Sequence, residues 1–334
     1  MAKKHNVKVN RGTFKVVGKV KGAEDDRFFK AYKFDSGSQK NAMSFSIRTN
    51  KNNESYVNLE GWVCKLAKFN KWDREAKKSL SRECSWEERF DFDEEGFDPS
   101  WGTRLKMYNE KDSSITTLFQ YDACDELKYS LKDDMSVFVE GATEFSHYTK
   151  DGDVKRAKKL NITKMYRQEK DIDFESDKFK EENRFKQEFI FMGIEKELNP
   201  EDDKATGRFI VSAKVVTNES VEDVEFVLEN KKLAENLRKK VKPYTAITSI
   251  GRLVTRVEDD LEEVEEEDGW GDEKDMDGSG STTRYKEWII TKVYQESIDT
   301  DTYSEEVLAS ITQAEDDYGD FNSDEDDDDD DTWD

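Results

Sequence analysis

Cysteine, histidine and proline are scarce in this chain. Its 334 residues include three Cys, two His and three Pro. The cysteines lie far apart with no Cys-x-x-Cys pair, and a zinc site built from Cys64, Cys84, Cys124 and His147 would have the spacing of no known finger or ribbon. We therefore expect reduced cysteines, no bound metal and no cofactor.

Catalytic motifs and long apolar runs are also lacking. The chain has no phosphate-binding Gly-x-x-x-x-Gly-Lys loop and no Gly-x-Ser-x-Gly elbow, and two histidines are too few for most acid-base schemes. We expect a protein that is not an enzyme. No apolar run approaches the ~20 residues of a membrane helix, so we expect no membrane association and a cytoplasmic location. Abundant Lys, Asp and Glu with little Pro suggest a bacteriophage protein acting in the host cytoplasm.

Charge is plentiful but unevenly distributed. The formal net charge is -24, yet residues 1–170 sum to +6, 171–183 to -4, 184–294 to -8 and 295–334 to -18. A basic front half joined to acidic segments is typical of a nucleic-acid binder that carries a competitor for its own site.

The C-terminal segment is the most acidic part of the chain. Residues 295–334 hold eighteen Asp or Glu and no Lys or Arg, and they end in Asp331, Thr332, Trp333 and Asp334. Such a composition cannot bury a core, so we expect a mostly disordered tail. The terminal Trp333, with Asp331 and Asp334, is predicted to dock on partner proteins; the alternative is a solvated charge run that ends in Trp by chance.

Apolar residues alternate with polar ones in five segments of the front half, which predicts five strands. The segments are centred on Phe14–Val20, Met43–Ile47, Val57–Val63, Val137–Glu144 and Lys158–Tyr166. The back half repeats short matches in the same order. Phe14 and Gly18 recur at an offset of 175, Thr49 and Asn50 at 168, Lys65 to Ala67 at 167, Gly141 at 110, and Ile162 to Tyr166 at 128.

Ordered matches with changing offsets indicate a tandem duplication with two insertions. The offset between matching residues falls from about 167 to 110, which predicts an insertion at about 68–125 in the first copy. The offset then rises to 128, which corresponds to an acidic loop at 258–277 in the second copy. Leu233, Leu237 and Val241 predict one helix between the third and fourth strands. Five strands with a helix at that place favour the OB-fold, a small Greek-key barrel.

The predicted organisation is therefore mainly β, with two tandem OB-fold barrels. We expect a first domain at 1–170, a linker at 171–183, a second domain at 184–294 and the tail at 295–334. The insertion is rich in aromatic residues, which we expect to pack on each other and on the barrel, or else to form a flap over a binding groove.

The first copy resembles the OB domain of bacterial and bacteriophage single-stranded DNA-binding proteins. The resemblance rests on the strand at 12–20, on Val139, Glu140 and Gly141, on Tyr148 seven residues after that glycine, and on the hairpin that follows. The resemblance covers about 110 residues and depends on a loose sequence pattern. Aromatic side chains six apart on the third strand, and one at the end of the fourth, stack on bases in that family; Tyr56, Trp62 and Tyr148 fill these positions.

Phosphates require cations beside the rings. We expect them from Arg48 and Lys51 after the second strand, and from a cluster after the hairpin. That cluster consists of Lys155, Arg156, Lys158 and Lys159. The alternative interpretation of this cluster is a solvated strand edge. The alternative for Trp62 is that it packs in the core. In the second copy the three stacking positions hold Asp223, Glu229 and Glu258, so we expect no DNA binding through the equivalent face.

These patterns predict a sequence-nonspecific single-stranded DNA-binding protein that acts in replication, recombination or repair and recruits partner proteins through its tail. Two alternatives stay open: an acidic OB-fold scaffold that mimics nucleic acid, and an RNA-binding protein. The sequence also allows a homo-oligomer without indicating one.

Overall fold

The architecture is mainly β in a computed structural model of the chain, which describes residues 5–107, 114–150, 153–199, 202–258 and 283–311. The front half contains β1 Gly12–Lys21, β2 Phe29–Lys33, β3 Gln39–Arg48, β4 Glu54–Trp62, β5 Leu66–Asp73, β6 Lys78–Ser85, β7 Asp98–Pro99, β8 Gly102–Lys106, β9 Thr116–Phe119, α1 Gln120–Ser130, β10 Ser136–Lys150 and β11 Asp153–Arg167. The back half contains β12 Glu182–Leu198, β13 Ala205–Val216, β14 Val221–Leu228, α2 Lys231–Lys240, β15 Thr245–Glu258 and β16 Thr283–Asp299. None of the described helices is both long and apolar enough to cross a membrane.

Five strands of the front half close into a ring, which we call the first barrel. Strand β1 pairs antiparallel with β3 and β10, β3 with β4, and β10 with β11. Strand β11 then pairs parallel with β4 and completes the ring. The predicted alternation is confirmed in β1, where Phe14, Val16, Gly18 and Val20 are buried while the residues between them are partly exposed.

The back half repeats the arrangement as a second barrel. Strand β12 pairs antiparallel with β13 and β15, β13 with β14, and β15 with β16, while β14 and β16 pair parallel. Helix α2 lies between the third and fourth strands, as the Leu233 periodicity predicted, and Asn230 caps it by accepting a hydrogen bond from the Leu233 amide at 3.0 Å.

Two glycines mark equivalent places in the barrels. A Cβ on Gly141 would lie 1.9 Å from the Asn161 oxygen, and one on Gly251 would lie 2.2 Å from the Ile289 oxygen. Both glycines follow an irregularity in strand register, and they pair with Phe14 and Phe185. The predicted offsets between the two copies, 110 for Gly141 and 128 for the last strand, are therefore confirmed. The offset of 175 for β1 is wrong, because Phe14 corresponds to Phe185 and not to Phe189.

The insertion in the first barrel lies between β4 and α1. Its predicted bounds of 68–125 are wrong, because residues 120–125 belong to α1, where Cys124 and Leu127 are buried in the barrel core. The inserted residues are 63–119. They form a three-stranded sheet, β6-β5-β7, and the β8-β9 pair. The expected aromatic packing holds for part of the insertion, whereas Trp72, Phe90 and Trp101 are exposed. The packed cluster contains Phe69, Trp86, Phe92, Phe97 and Phe119.

The two barrels share one continuous sheet. Strand β1 pairs antiparallel with β12, with Phe14 opposite Phe185. Most of the predicted linker, 171–183, lies against the end of the first barrel before β12 begins at Glu182.

The predicted tail at 295–334 begins too early. Strand β16 continues to Asp299, and residues 305–311 are helical. Tyr303 is 3% exposed, and its hydroxyl donates to the Lys8 carbonyl at 2.8 Å while it accepts from the Asn10 amide at 2.9 Å. Apolar residues at 308 and 311 supply the burial that the acid-rich composition obscured. Residues 312–334 lie outside the described part of the chain.

Candidate nucleic-acid interface

The strands of the first barrel present one polar surface away from its core. In β4, Val57 and Leu59 point inward, and Tyr56, Asn58 and Glu60 lie at the surface with Trp62. We call the surface formed by these four residues and their neighbours on β2, β3, β10 and β11 the outer face.

Three aromatic rings form a ladder across the outer face. Tyr32 is opposite Lys40 in the β2-β3 register, and Lys40 is opposite Trp62 in the β3-β4 register. Phe34 stacks on both aromatic neighbours, with ring centroids 6.1 Å from Tyr32 and 5.4 Å from Trp62. Trp62 is 48% exposed and Phe34 37% exposed, so the ladder presents ring surface to solvent.

A cation accompanies the ladder. Lys40 Nζ lies 4.8 Å from the Tyr32 ring centroid and 5.3 Å from that of Trp62. Glu60 connects it to Lys159, since the two ammonium groups lie 3.5 and 3.6 Å from its carboxylate oxygens. The outer face thus combines stackable rings with two lysines that share Glu60, and Glu144 lies opposite Lys159 in the β10-β11 register.

The predicted basic cluster after the hairpin divides between two faces. In the β10-β11 register Tyr148 is opposite Lys155, and Glu144 is opposite Lys159. Directly opposite residues share a face, so Tyr148, which is 55% exposed, lies with Lys155 and Lys159 on the outer face.

The other half of the cluster faces the second barrel. Arg156 Nη2 lies 3.4 Å from Asp223 Oδ2, and Lys158 Nζ donates to the Glu225 carbonyl at 3.0 Å. His147 Nδ1 lies 3.0 Å from the buried carboxylate of Glu222. Desolvation beside the second barrel lowers the pKa of Lys158, although nearby Glu225 opposes the shift.

Tyr56 lies on the outer face but is partly covered by the second barrel. Lys286 Nζ of β16 lies 4.2 Å from the Tyr56 ring centroid. The β15-β16 hairpin is fixed there by hydrogen bonds from the Thr255 amide to Asn53 Oδ1 at 2.8 Å and from the Thr255 hydroxyl to the Glu54 carbonyl at 2.6 Å. Any base stacked on Tyr56 would have to meet Lys286.

Arg48 and Lys51 lie at the opposite end of β4 from Trp62 and contact other parts of the chain. Arg48 Nη2 lies 2.9 Å from Asp134 Oδ1, and Lys51 Nζ lies 2.5 Å from Glu175 Oε1. The Phe174 ring lies under the Arg48 guanidinium at 5.7 Å. Their proposed role with phosphates stays a prediction, and the structure does not bring them to the ladder.

Acids occupy the equivalent face of the second barrel. Ser46 pairs with Tyr56, and at the same place in the second barrel Lys214 pairs with Asp223. Asp223 therefore stands where Tyr56 stands, and it binds Lys214 at 2.5 Å as well as Arg156. Glu229, at the Trp62 position, binds Arg252 at 2.8 Å.

The contacts between the barrels are pseudo-symmetric. Lys158 and Lys286 are separated by the same offset of 128 as the last strands, and each reaches the third strand of the other barrel. The β10-β11 hairpin covers the second barrel near Asp223, and β15-β16 covers the first near Tyr56. Only the first barrel keeps an aromatic ladder beyond the covered region among the residues described.

Sequence reasoning missed Tyr32 and Phe34. The alternation of Lys30, Tyr32 and Phe34 before the turn at Gly37, which has a φ of 79°, could have identified a strand and hairpin. The predicted partner-docking residues Asp331, Trp333 and Asp334 lie outside the described residues, as does the side chain of Glu258.

Comparison with known proteins gives a family and a distant structural likeness. Two crystal structures of the single-stranded DNA binding protein from Thermus aquaticus, the wild type and a deletion mutant, are each 11% identical to this chain. They cover 85% of it, and 91% and 93% of their own chains, with TM-scores of 0.38 and 0.39. No curated protein matches. The family model described as YorF matches residues 102–325, more than half of the sequence, and the chain belongs to the YorF family.

Proposed function

We propose that this protein binds single-stranded DNA without sequence preference, through the outer face of the first of two OB-fold barrels. The observation that carries the proposal is the solvent-exposed ladder of Tyr32, Phe34 and Trp62 with Lys40 beside it. Every base has a π-face, so stacking on such rings gives roughly 1 to 3 kcal/mol per base without reading sequence.

Lysines on the same face supply contacts for phosphates. Lys40, Lys155 and Lys159 border the ladder and the exposed ring of Tyr148. Glu60 lies between Lys40 and Lys159 and orients them, while a bound phosphate would compete with it for the two ammonium groups. Binding should therefore weaken as salt rises.

The proposal includes the role of the protein in the cell. The protein coats single strands during replication, recombination or repair in the cytoplasm of a bacteriophage host, with no catalytic role of its own. Residues 312–334, which end in Trp333 and Asp334, recruit partner proteins and compete with DNA for the basic face. This part of the proposal rests on the sequence alone.

Fluorescence quenching with oligo-dT at low and high salt tests the binding function. We expect strong quenching that weakens as salt rises. A protein that bound no oligonucleotide at low salt, even after deletion of residues 312–334, would not be a DNA-binding protein. Oligo-rU bound as tightly as oligo-dT would make the function general single-strand or RNA binding.

A further inference from the structure

The β5-β6 hairpin of the insertion has one face buried and one open. On the buried face, Ala67 and Phe69 join the aromatic cluster that holds the lobe to the barrel. On the open face, Trp72 is 63% exposed. It lies opposite Ser79 in the register, and Ser81 follows opposite Asn70. Serine side chains are too small to cover an indole, so one surface of the Trp72 ring stays available.

Charge within the insertion is segregated along the chain. Residues 66–85 contain six Lys or Arg against three Asp or Glu, whereas residues 86–98 contain seven acids and one Arg. Part of the acidic stretch is held against the hairpin, because Arg82 binds Glu94 at 3.3 Å and Lys71 Nζ donates to the Glu95 carbonyl at 2.8 Å.

The turn of the hairpin concentrates cations that have no such partners. Arg74, Lys77 and Lys78 are exposed, and none forms an ion pair with another described residue. Asp73 Oδ1 accepts the amides of Glu75 and Ala76 at 2.9 and 3.0 Å and so closes the turn. Asp73 and Glu75 offset two of the three positive charges, which leaves residues 73–78 with a net charge of +1.

We propose that the basic hairpin, residues 66–85, is a second nucleic-acid-binding surface, where Trp72 stacks on a base and Arg74, Lys77 and Lys78 contact phosphates. The inference rests on the proposed function and extends it to longer strands. The hairpin begins four residues after Trp62, so β5 starts close to the end of the ladder along the chain. An exposed ring next to unpaired cations fits a polyanion that carries bases, whereas a solvated turn needs no tryptophan.

Length dependence of binding separates this surface from the ladder. An oligo-dT of about 8 nucleotides fits within one barrel's usual site of roughly 4 to 16 nucleotides, and one of about 30 exceeds it. In the full chain, Trp72→Ala should weaken binding of the long strand about tenfold and leave the short strand unchanged. Trp72→Phe should restore most of the loss, because a phenyl ring still stacks.

A triple variant tests the charges. Arg74→Gln with Lys77→Gln and Lys78→Gln should lower the salt slope for the long strand by about 2, since each phosphate contact contributes roughly 0.7 on single strands. The matched control neutralises Arg238, Lys239 and Lys240, three exposed cations in the last turn of α2, and should leave the slope nearly unchanged. Equal losses in the two triple variants would mean a general charge effect and overturn the proposal.

Photocrosslinking gives a direct readout. A long oligonucleotide with 5-bromodeoxyuridine should crosslink to the peptide that contains Trp72. The inference fails if the wild type binds both strands while the Trp72 variants match it at both lengths and that peptide carries no crosslink. It also fails if Trp72→Ala weakens the short strand as much as the long one. Absence of any binding by the wild type would instead reject the proposed function.

Discussion

The two barrels have the same strand order, but their equivalent faces differ in chemistry and in access. The first presents Tyr56 and Trp62 where the second has Asp223 and Glu229. The hairpin of the first barrel binds Asp223 through Arg156, whereas the hairpin of the second reaches Tyr56 and leaves the ladder beyond it exposed. Duplication of one fold has thus produced one open aromatic face and one face used to hold the barrels together.

The largest effect on DNA binding should come from removing the ladder. Phe34→Ala with Trp62→Ala should weaken oligo-dT binding roughly a hundredfold, because two stacking surfaces of about 1 to 3 kcal/mol each are lost. Titration by fluorescence anisotropy measures the loss. Both side chains are partly exposed, so thermal denaturation should change little. Wild-type affinity in the double variant would show that the strand binds elsewhere.

The glycines test whether the barrels are structurally equivalent. Gly141→Ala and Gly251→Ala should each cost at least about 3 kcal/mol of unfolding free energy, because the added Cβ meets a carbonyl oxygen at 1.9 or 2.2 Å. Urea denaturation followed by circular dichroism compares the two variants. Gly193→Ala is the control, since nothing lies within 4 Å of its Cβ position. A loss in only one barrel would contradict their equivalence at this strand crossing.

Tyr303 tests the corrected boundary of the second domain. Tyr303→Phe should lower the unfolding free energy by about 1 to 2 kcal/mol, because the buried Asn10 amide loses its acceptor. Burial raises the pKa of Tyr303 to about 12. The unfolded chain ionises first, so this residue's contribution is complete below its unfolded pKa of about 10 and is lost as pH rises toward 12.

Melting temperatures measured between pH 9 and 12 check that dependence. The wild type should lose stability over this range more steeply than Tyr303→Phe. Identical pH profiles would mean that Tyr303 is solvated and that the tail begins before residue 303.

The smallest effect on DNA binding should come from the second barrel. Glu229→Gln lies at the position equivalent to Trp62 and should change oligo-dT affinity less than about threefold at physiological salt, where distant charges are screened. The same titration measures it, with Trp62→Gln as the matched change in the first barrel. A loss as large as that of Trp62→Gln would make the two faces functionally alike.

Sequence patterns predicted the features that depend on residues close together in the chain. Alternation in β4 gave the outward direction of Tyr56 and Trp62, and the spacing of Leu233 and Leu237 gave α2. Contacts between the barrels left no such pattern. The reach of Lys286 to Tyr56, and the division of Lys155 and Arg156 between two faces, depend on a register that only the folded chain defines.

The predicted end of the insertion and the predicted start of the tail were wrong for a related reason. The apolar residues in 120–125 are Tyr121, Ala123 and Cys124, and two of them are small, so they give only a weak helical signal. Tyr303 is buried by a segment almost three hundred positions earlier. The β2 strand is hard to predict from the sequence because it is short and none of its residues is fully buried. Its two aromatic neighbours, Tyr32 and Phe34, became visible as a site only when the register placed them beside Trp62.

Hydrogen exchange of the full chain with and without oligo-dT tests the central claim most directly. Bound DNA should slow amide exchange in residues 29–48 and 54–62 of the first barrel, and leave residues 205–228 of the second as they are in the unbound protein. Protection of 205–228 without protection of 29–62 would contradict the account.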